Sequence, residues 1–260
     1  MKTASKLGTL YLVPNTLGDD DRSAQLPHVM PIETMRCASQ LTHWIVEDAK
    51  TARALLKSMD GLVPLACSLQ EMHITEWRGA ARNAKYGDKI KPEALLEPLL
   101  RGNDIGLMSE AGVPGVADPG AELVWAAHRL GACVKPLIGP SSLLLALMAS
   151  GLNGQRFAFQ GYLPQDGGER TARLKQLESE SRKLQQTQLW IETPYRNAAM
   201  MASCLQALAP QTYLCLALDL SLQTEEIRSM TVAEWKKTCA SEAACAALQN
   251  RPCVFLLLAH

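Results

Sequence analysis

The chain alternates short apolar runs of β-forming residues with longer segments of helical period, and this alternation constrains its fold more than any other feature. Such an order is typical of βα units that build a mainly parallel sheet. Strands are predicted in the first half at residues 9–13, 43–46, 104–108 and 132–136. Helical patterns between them cover residues 32–41, 49–59, 92–101 and 119–130. Residues 61–90 are hard to assign, with one further strand candidate at 62–65.

The pattern changes after an apolar helix at 141–150, which Gly151 ends. Five strand candidates follow with only three long helical segments between them, at residues 156–162, 188–191, 213–218, 226–230 and 253–258. The third and fourth are too close for a crossover helix, so they predict an antiparallel pair. We therefore predict two α/β domains, residues 1–139 with a mainly parallel sheet and residues 140–260 with a mixed sheet.

Composition excludes several classes of protein. The 26 basic residues balance the 26 acidic ones, which argues against a protein that coats nucleic acid nonspecifically. No apolar run approaches the ~20 residues of a transmembrane helix, and the N-terminus has no signal-like apolar segment, so we expect a cytoplasmic protein without a membrane anchor. The eight cysteines and five histidines lack the spacing of metal ligands, so we expect no metal site.

Two strand-to-helix turns are the strongest local signals. Residues 109–120 follow a strand, are rich in small side chains, and lead through Asp118 and Pro119 into a helix, with the acid as cap and the proline as its first residue. Residues 136–142 repeat the arrangement, and their helix start offers free N–H groups and hydroxyls to an anion. Because ligands bind at the carboxyl ends of parallel strands, the two turns predict one pocket.

Other motifs are weaker. Residues 190–196 form a third turn of this kind, in which Glu192 and Arg196 cluster. The stretch 77–91 carries five cations against one acid and is either a phosphate contact or a solvated helical face. The acidic run 19–21 is either a cation ligand or an exposed loop. Dinucleotide-binding, P-loop and α/β-hydrolase motifs are absent.

In their order along the chain, six segments resemble the motif set of the tetrapyrrole (corrin and porphyrin) methylase superfamily. They are residues 9–18, 47–48, 109–120, 136–142, 159–164 and 192–196. Within the superfamily, the branch of the 16S ribosomal RNA cytidine 2′-O-ribose methyltransferases is the most similar. The resemblance implies two α/β domains, S-adenosylmethionine in a cleft between them, and a homodimer.

The resemblance also implies where the cofactor is bound. Ser141 and Ser142 would receive its carboxylate, and residues 109–113, with Glu110 where many members have aspartate, would bind its ammonium and ribose. The full set of expected cofactor-binding residues is Pro14, Ser109, Glu110, Ala111, Gly112, Val113, Ser141, Ser142, Tyr162, Thr193 and Leu218. A ribose hydroxyl also needs a proton acceptor. The candidate carboxylates for this role are Asp118, Asp48 and Glu192.

The chain departs from the branch where the substrate would enter. The branch has Pro-Thr-Pro-Ile-Gly-Asn where this chain has residues 14–19, Pro-Asn-Thr-Leu-Gly-Asp. Its Ala-Arg-Glu-Leu-Thr-Lys becomes Ala-Leu-Asp-Leu-Ser-Leu at residues 217–222, which loses two cations. Three hypotheses therefore stay open: a ribosomal RNA methyltransferase, a methyltransferase for a small tetrapyrrole-like molecule, and a cofactor-binding protein without catalysis.

Overall fold

The chain folds as two units, and each contains its own sheet. The computed structural model describes residues 6–18, 22–80, 91–239 and 248–260. Contacts between Cα atoms divide the chain into Met1–Ser141 and Ser142–His260. The acidic run 19–21, most of the basic stretch 77–91 and Cys245 lie outside the described residues.

The first unit is built on a five-stranded sheet in which every strand runs parallel to its neighbours. Its strands are β1 (Thr9–Leu12), β2 (His43–Val46), β3 (His73–Glu76), β4 (Ile105–Met108) and β5 (Cys133–Pro136). They lie in the order β3-β2-β4-β1-β5. The predicted parallel sheet is therefore confirmed.

Helices cover both faces of this sheet, as a parallel sheet requires. They are α1 (Arg22–Val29), α2 (Ile32–Ser39), α3 (Ala49–Asp60), α4 (Pro92–Leu95), α5 (Glu97–Leu100) and α6 (Gly120–Arg129). Alternate strand residues point to opposite faces. Leu10 and Ile45 pack with α4, α5 and α6 in one core cluster, whereas Val13 and Trp44 pack with α1, α2 and α3 in the other.

The side chain of Trp44 explains one glycine in this sheet. A Cβ atom at Gly106 would lie 2.5 Å from the indole ring of Trp44 on the neighbouring strand β2. The indole is almost fully buried, and its Nε1 donates to the carbonyl oxygen of Leu41. Any larger residue at position 106 would displace this tryptophan and with it the alignment of β2 against β4.

The second unit holds a mixed five-stranded sheet in the order β6-β7-β10-β8-β9. Its strands are β6 (Phe157–Tyr162), β7 (Thr187–Glu192), β8 (Tyr213–Leu218), β9 (Glu226–Thr231) and β10 (Cys253–Leu258). Its helices are α7 (Ser142–Ser150), α8 (Gly167–Leu184), α9 (Asn197–Ala207) and α10 (Val232–Thr238). The predicted antiparallel pairing of β8 with β9 is confirmed. One buried core contains residues of β7, β10 and β8. In it, the ring of Trp190 stacks on that of Phe255, with 5.6 Å between the ring centroids.

Two predictions about elements are wrong, and one strand was not predicted. Residues 62–65 form no strand; Val63 and Leu65 pack on the core from a loop. The edge strand is His73–Glu76 instead, and its polar, mostly exposed side chains gave no apolar signal. The helix expected over 92–101 is split into α4 and α5, because Pro98 lacks the N–H that a continuous helix needs.

Candidate functional site at the strand ends

The carboxyl ends of β2, β4 and β1 lie side by side at one edge of the first sheet. The connection after β1 runs along the sheet to β2, whereas the connection after β4 runs in the opposite direction to β5. Ligands of open parallel sheets bind where neighbouring strands have connections that leave in opposite directions. The residues that follow these three strands are therefore the first candidates for a site.

Asn15 follows β1 and fixes the loop that follows β4. Its side-chain Nδ2 donates to the carbonyl oxygens of Ser109, at 3.1 Å, and Glu110, at 2.9 Å. Its backbone N–H donates to the carbonyl oxygen of Gly112 at 2.8 Å, and its Oδ1 accepts the backbone N–H of Thr16. Because the side chain is fully buried, these bonds hold the loop against the end of β1 without competition from water.

The loop presents backbone groups on a glycine-dependent turn. Gly112 has φ +70°, a left-handed conformation, and a Cβ atom there would approach Leu17 Cδ2 to 3.3 Å. The Ser109 hydroxyl donates to the carbonyl oxygen of Ala111 at 3.1 Å. Among the described residues, no hydrogen bond uses the backbone N–H of Ala111 or Val113. The loop therefore offers amide donors to a ligand.

Glu47, the residue after β2, faces this loop. Its Oε2 accepts the backbone N–H of Glu110 at 3.1 Å. Burial raises the pKa of the Glu47 carboxyl, and the nearby carboxylates of Glu110 and Asp118 raise it further, while the Glu110 N–H and the Arg78 guanidinium act against the rise. The side chain lines a small cavity together with Ser109 and Asp118.

Asp118 closes the other end of the loop. Its carboxylate accepts the backbone N–H of Gly115 at 2.8 Å and that of Gly120 at 2.6 Å. Burial raises the pKa of Asp118, and these backbone N–H groups lower it. The expectation that Pro119 is the first helical residue is wrong by one position, since α6 begins at Gly120. The Asp118 carboxylate accepts the N–H of Gly115 in the loop as well as that of Gly120 in the helix, and so holds Pro119 in the turn between them.

Asp48 serves the start of α3. Its carboxylate accepts the backbone N–H of Thr51 at 2.8 Å and pairs with the Arg78 guanidinium at 3.0 Å. The hydrogen bond from Thr51 is the largest cause of its lowered pKa, and Arg78 contributes to the lowering. The geometry makes Asp48 a helix cap with a cationic partner.

The end of β5 lies against the end of β1. A Cβ atom at Gly139 would lie 2.2 Å from Pro14 Cγ, so only glycine lets the backbone rest on the proline ring. The Thr34 hydroxyl donates to the carbonyl oxygen of Ile138 at 2.9 Å. The structure thus brings Pro14 and the turn before Ser141 together, within the first unit.

The remaining expected cofactor residues belong to the second unit. Strands β6, β7 and β8 run in the same direction, because β10 is antiparallel to both β7 and β8. Tyr162, Thr193 and Leu218 therefore lie at one edge of this sheet. Tyr162 is 59% exposed and Leu218 is buried. Ser142 is the first residue of α7.

Glu192 ends β7 in a buried ion pair. Its Oε2 lies 3.0 Å from Arg196 Nη2, and its side chain is fully buried. Its Oε1 accepts the backbone N–H of Thr193 at 2.7 Å. Oε1 therefore accepts a hydrogen bond from the next turn of chain, whereas Oε2 is paired with Arg196 by charge and distance and accepts no hydrogen bond from a described residue.

Sequence reasoning did not single out Asn15 or Glu47 as site residues. Asn15 was visible only as a departure from the branch pattern, and Glu47 only as half of an acidic pair. In the described ranges, no three His, Cys, Asp or Glu side chains form a group that could hold a metal ion. No described helix is both long and apolar enough to cross a membrane.

Comparison with curated proteins finds relatives named ribosomal RNA small subunit methyltransferase I. The protein from Pseudomonas aeruginosa is 29% identical over 236 residues, which are 90% of this chain and 74% of the relative. The protein from Xylella fastidiosa is 34% identical over 203 residues, 78% of this chain and 63% of the relative. The Vibrio cholerae protein is 34% identical over 57% of this chain and 50% of its own length. The chain thus spans half to three quarters of these relatives. No family model matches the chain.

Solved structures with the same fold include methyltransferases. The methyltransferase CobJ aligns with a TM-score of 0.57 at 13% identity, over 98% of this chain and 95% of that one. Uroporphyrin-III C-methyltransferase from Thermus thermophilus, crystallised with S-adenosylhomocysteine, aligns with a TM-score of 0.54 at 16% identity, over 96% of this chain and 97% of that one. At these identities the likeness is one of fold, and it confirms the predicted fold class.

Proposed function

We propose that the chain is a member of the tetrapyrrole methylase superfamily and that it is an S-adenosylmethionine-dependent methyltransferase that acts on RNA of the small ribosomal subunit. The acceptor atom in this proposal is a ribose 2′-hydroxyl oxygen. The names of the curated relatives support the choice of acceptor. The Thermus thermophilus structure with S-adenosylhomocysteine supports the choice of cofactor.

The observation that carries the proposal is the loop at residues 109–113, held by Asn15 at the end of β1. S-adenosylmethionine supplies, when bound, a methyl group on a positively charged sulfur. Its amino-acid end needs both hydrogen-bond donors and acceptors. The loop fits this need, because the N–H groups of Ala111 and Val113 are open in the described part of the chain and the Glu110 side chain is exposed. Ser109 to Val113 are therefore the proposed cofactor residues of the first unit.

The tasks of the protein in such a reaction are to align the acceptor hydroxyl, to exclude water and to take up one proton. The hydrogen bonds of Asn15 and Glu47 fix the loop in advance. Roles for Pro14, Ser141 and Ser142, and for Tyr162, Thr193 and Leu218 around the adenine, stay predictions.

Calorimetric titration tests cofactor binding. S-adenosylmethionine and its demethylated product should bind wild type, and Ser141→Trp should abolish binding because the indole fills the turn after β5. Ser179→Trp, on an exposed position of α8, controls for the bulk of the side chain. Folded wild type that binds neither compound would contradict the proposed function.

Methyl transfer tests the acceptor. Labelled cofactor should modify small ribosomal subunits from cells that lack this protein, and digestion should release the label as a ribose-methylated nucleoside. Label that enters a metabolite extract but not the subunits would replace the RNA acceptor with a small molecule. Cofactor binding without transfer to either would indicate a non-catalytic relative.

We also propose a homodimer that works in the cytoplasm, the compartment that contains the proposed ribosomal acceptor. The helix α7 supports the dimer, since Leu144 is 54% exposed and Met148, one turn later, is 79% exposed. A second copy of the chain would cover these side chains. Sedimentation should show a dimer for wild type and a monomer for the variant that carries both Leu144→Glu and Met148→Glu.

A further inference from the structure

The carboxylate of Glu47 has the placement of a reactive group at the strand ends of the first unit. We propose that Glu47 is the catalytic residue that accepts the proton of the acceptor hydroxyl. This inference rests on the proposed methyltransferase function and adds to it the group that makes the hydroxyl oxygen a nucleophile.

One oxygen of Glu47 is held and the other is open. Oε2 accepts the Glu110 N–H at 3.1 Å, which fixes the carboxylate beside the proposed cofactor loop. No hydrogen bond from a described residue reaches Oε1. The cavity that the side chain lines is shared with Ser109 and Asp118. The open oxygen is therefore a hydrogen-bond acceptor at the edge where ligands of parallel sheets bind.

The charges around Glu47 favour proton uptake. Among the described residues, carboxylates face it from two directions, Glu110 in the loop after β4 and Asp118 before α6, and one cation faces it, Arg78 after β3. Burial is the largest cause of its raised pKa, and the two carboxylates add to it. A carboxylate with a raised pKa is a stronger base than one in water, and it remains ionised at a pH above that value.

The other carboxylates considered for this role are committed to structural partners. Asp118 accepts backbone N–H groups at both of its oxygens. Asp48 caps α3 with one oxygen and pairs with Arg78 through the other. Glu192 pairs with Arg196 through one oxygen and accepts Thr193 N–H at the other. Among the described residues, Glu47 differs from all three because one of its oxygens has neither a hydrogen bond nor a cation at ion-pair distance.

The proton balance of the step is simple. The hydroxyl O–H bond breaks and its proton moves to Glu47 Oε1, while the oxygen forms a bond to the methyl carbon. The carbon–sulfur bond breaks, and its electron pair stays on the sulfur. The products are a methyl ether, a neutral thioether and protonated Glu47, which returns its proton to solvent. No oxidant or reductant takes part.

Glu47→Gln is the decisive variant, because its amide oxygen still accepts the Glu110 N–H but cannot take a proton. We expect kcat for labelled methyl transfer to small ribosomal subunits to fall by about 100-fold or more. The Kd for S-adenosylmethionine, measured by calorimetry, should stay within about twofold. In wild type, kcat should rise with pH through the pKa of Glu47 and then level off, and Glu47→Gln should lose this rise. Glu47→Asp, which keeps a carboxylate, should recover part of the activity.

Glu76→Gln is the matched control. Glu76 ends the neighbouring strand β3 and, like Glu47, accepts one backbone N–H, that of Ala49 at 2.8 Å. Because Glu76 also lies 3.9 Å from Arg78, its substitution should leave kcat at high pH unchanged and should keep the rise of kcat with pH. Carbon NMR of the side-chain carboxyl groups, assigned by comparison of wild type with Glu47→Gln, measures the pKa of Glu47 without turnover and should place it above that of an ordinary glutamate.

Each result decides for or against the inference. Active wild type with an equally active Glu47→Gln overturns the inference and leaves the proposed function intact. The inference also falls if Glu47→Gln loses cofactor binding in proportion to kcat while the pH profile is kept, since Glu47 then only positions the loop. A titration at or below the ordinary glutamate value overturns it as well. Wild type that transfers no methyl group to the subunits overturns the proposed function and the inference with it.

Discussion

Glu47 and Glu192 occupy equivalent places in the two units and have different surroundings. Each lies at the carboxyl end of a strand that runs parallel to a neighbour, just before a helical turn begins. Glu192 has a guanidinium 3.0 Å away and no exposed side-chain surface. Glu47 is half-buried, and its nearest cation, Arg78, pairs with Asp48 instead.

The position of a carboxylate at a strand end therefore does not decide its role. The charged groups that surround the carboxylate decide its role. A glutamate that is paired with its own arginine has a structural partner and contributes to the fold. A glutamate surrounded mainly by other carboxylates keeps an open oxygen and an affinity for protons. The end of a parallel strand thus holds a structural ion pair in the second unit and a candidate reactive carboxylate in the first.

Loss of Arg196, the partner of Glu192, should reduce stability more than any other substitution considered for the two strand ends. Arg196→Ala leaves Glu192 as a buried charge without a partner, so the free energy of unfolding should fall by about 3–5 kcal/mol. Urea unfolding measures the loss. Arg36→Ala removes an exposed arginine that pairs with Glu33 and should change stability little, because water screens such pairs.

Replacement of both partners tests the reason for that loss. The double variant with Glu192→Leu and Arg196→Met removes both buried charges and should recover most of the lost stability. A double variant as unstable as Arg196→Ala alone would contradict the view that the unpaired charge causes the loss.

Two buried asparagines, one in each unit, should have a smaller effect on stability than Arg196. Asn15 and Asn197 are both fully buried, and each donates its Nδ2 to two backbone carbonyl oxygens. Asn15→Ala and Asn197→Ala should each lower the free energy of unfolding by about 1–3 kcal/mol, because one buried and one partly buried acceptor lose their donor. Urea unfolding should show losses of similar size.

Of the two asparagines, Asn15 alone contacts the proposed cofactor loop, so calorimetry should distinguish the two variants. Asn15→Ala should weaken binding of S-adenosylmethionine severalfold, while Asn197→Ala, whose acceptors are Leu248 and Arg251 in the second unit, should bind as wild type does. Equal affinities in both variants would mean that the loop at residues 109–113 does not need its asparagine to receive the cofactor.

The sequence predicted much of the fold because periodicity is a local property. Four strands of the first sheet and the pairing of β8 with β9 follow from runs of apolar residues and the lengths between them. The strand His73–Glu76 escaped detection because an edge strand with exposed polar side chains has no apolar run. Residues 62–65 misled in the opposite way, since a loop can also bury valine and leucine.

The partners of the site residues could not be predicted, because they are distant in sequence. Asn15 meets Ser109 across 94 positions, and Glu47 meets Glu110 across 63. The sequence around a carboxylate does not show whether the folded chain will place an arginine or an amide beside it. The pattern therefore located the strand ends, and only the fold distinguishes Glu47 from the carboxylates that have structural partners.

The smallest expected effect concerns two neighbours, Glu47 and Asp48, whose pKa values shift in opposite directions. The pKa of Glu47 is raised above 4.5 by burial, so its ionisation opposes folding as the pH rises through the folded-state pKa. The pKa of Asp48 is lowered below 3.8, mainly by the Thr51 N–H, so its ionised form stabilises the native state, and that stabilisation disappears as the pH falls through the folded-state pKa. At neutral pH we expect Glu47→Gln to be more stable than wild type and Asp48→Asn less stable. Urea unfolding across the acidic range should show both differences shrink toward low pH, and two variants that shift in the same direction would contradict the opposite surroundings of this pair.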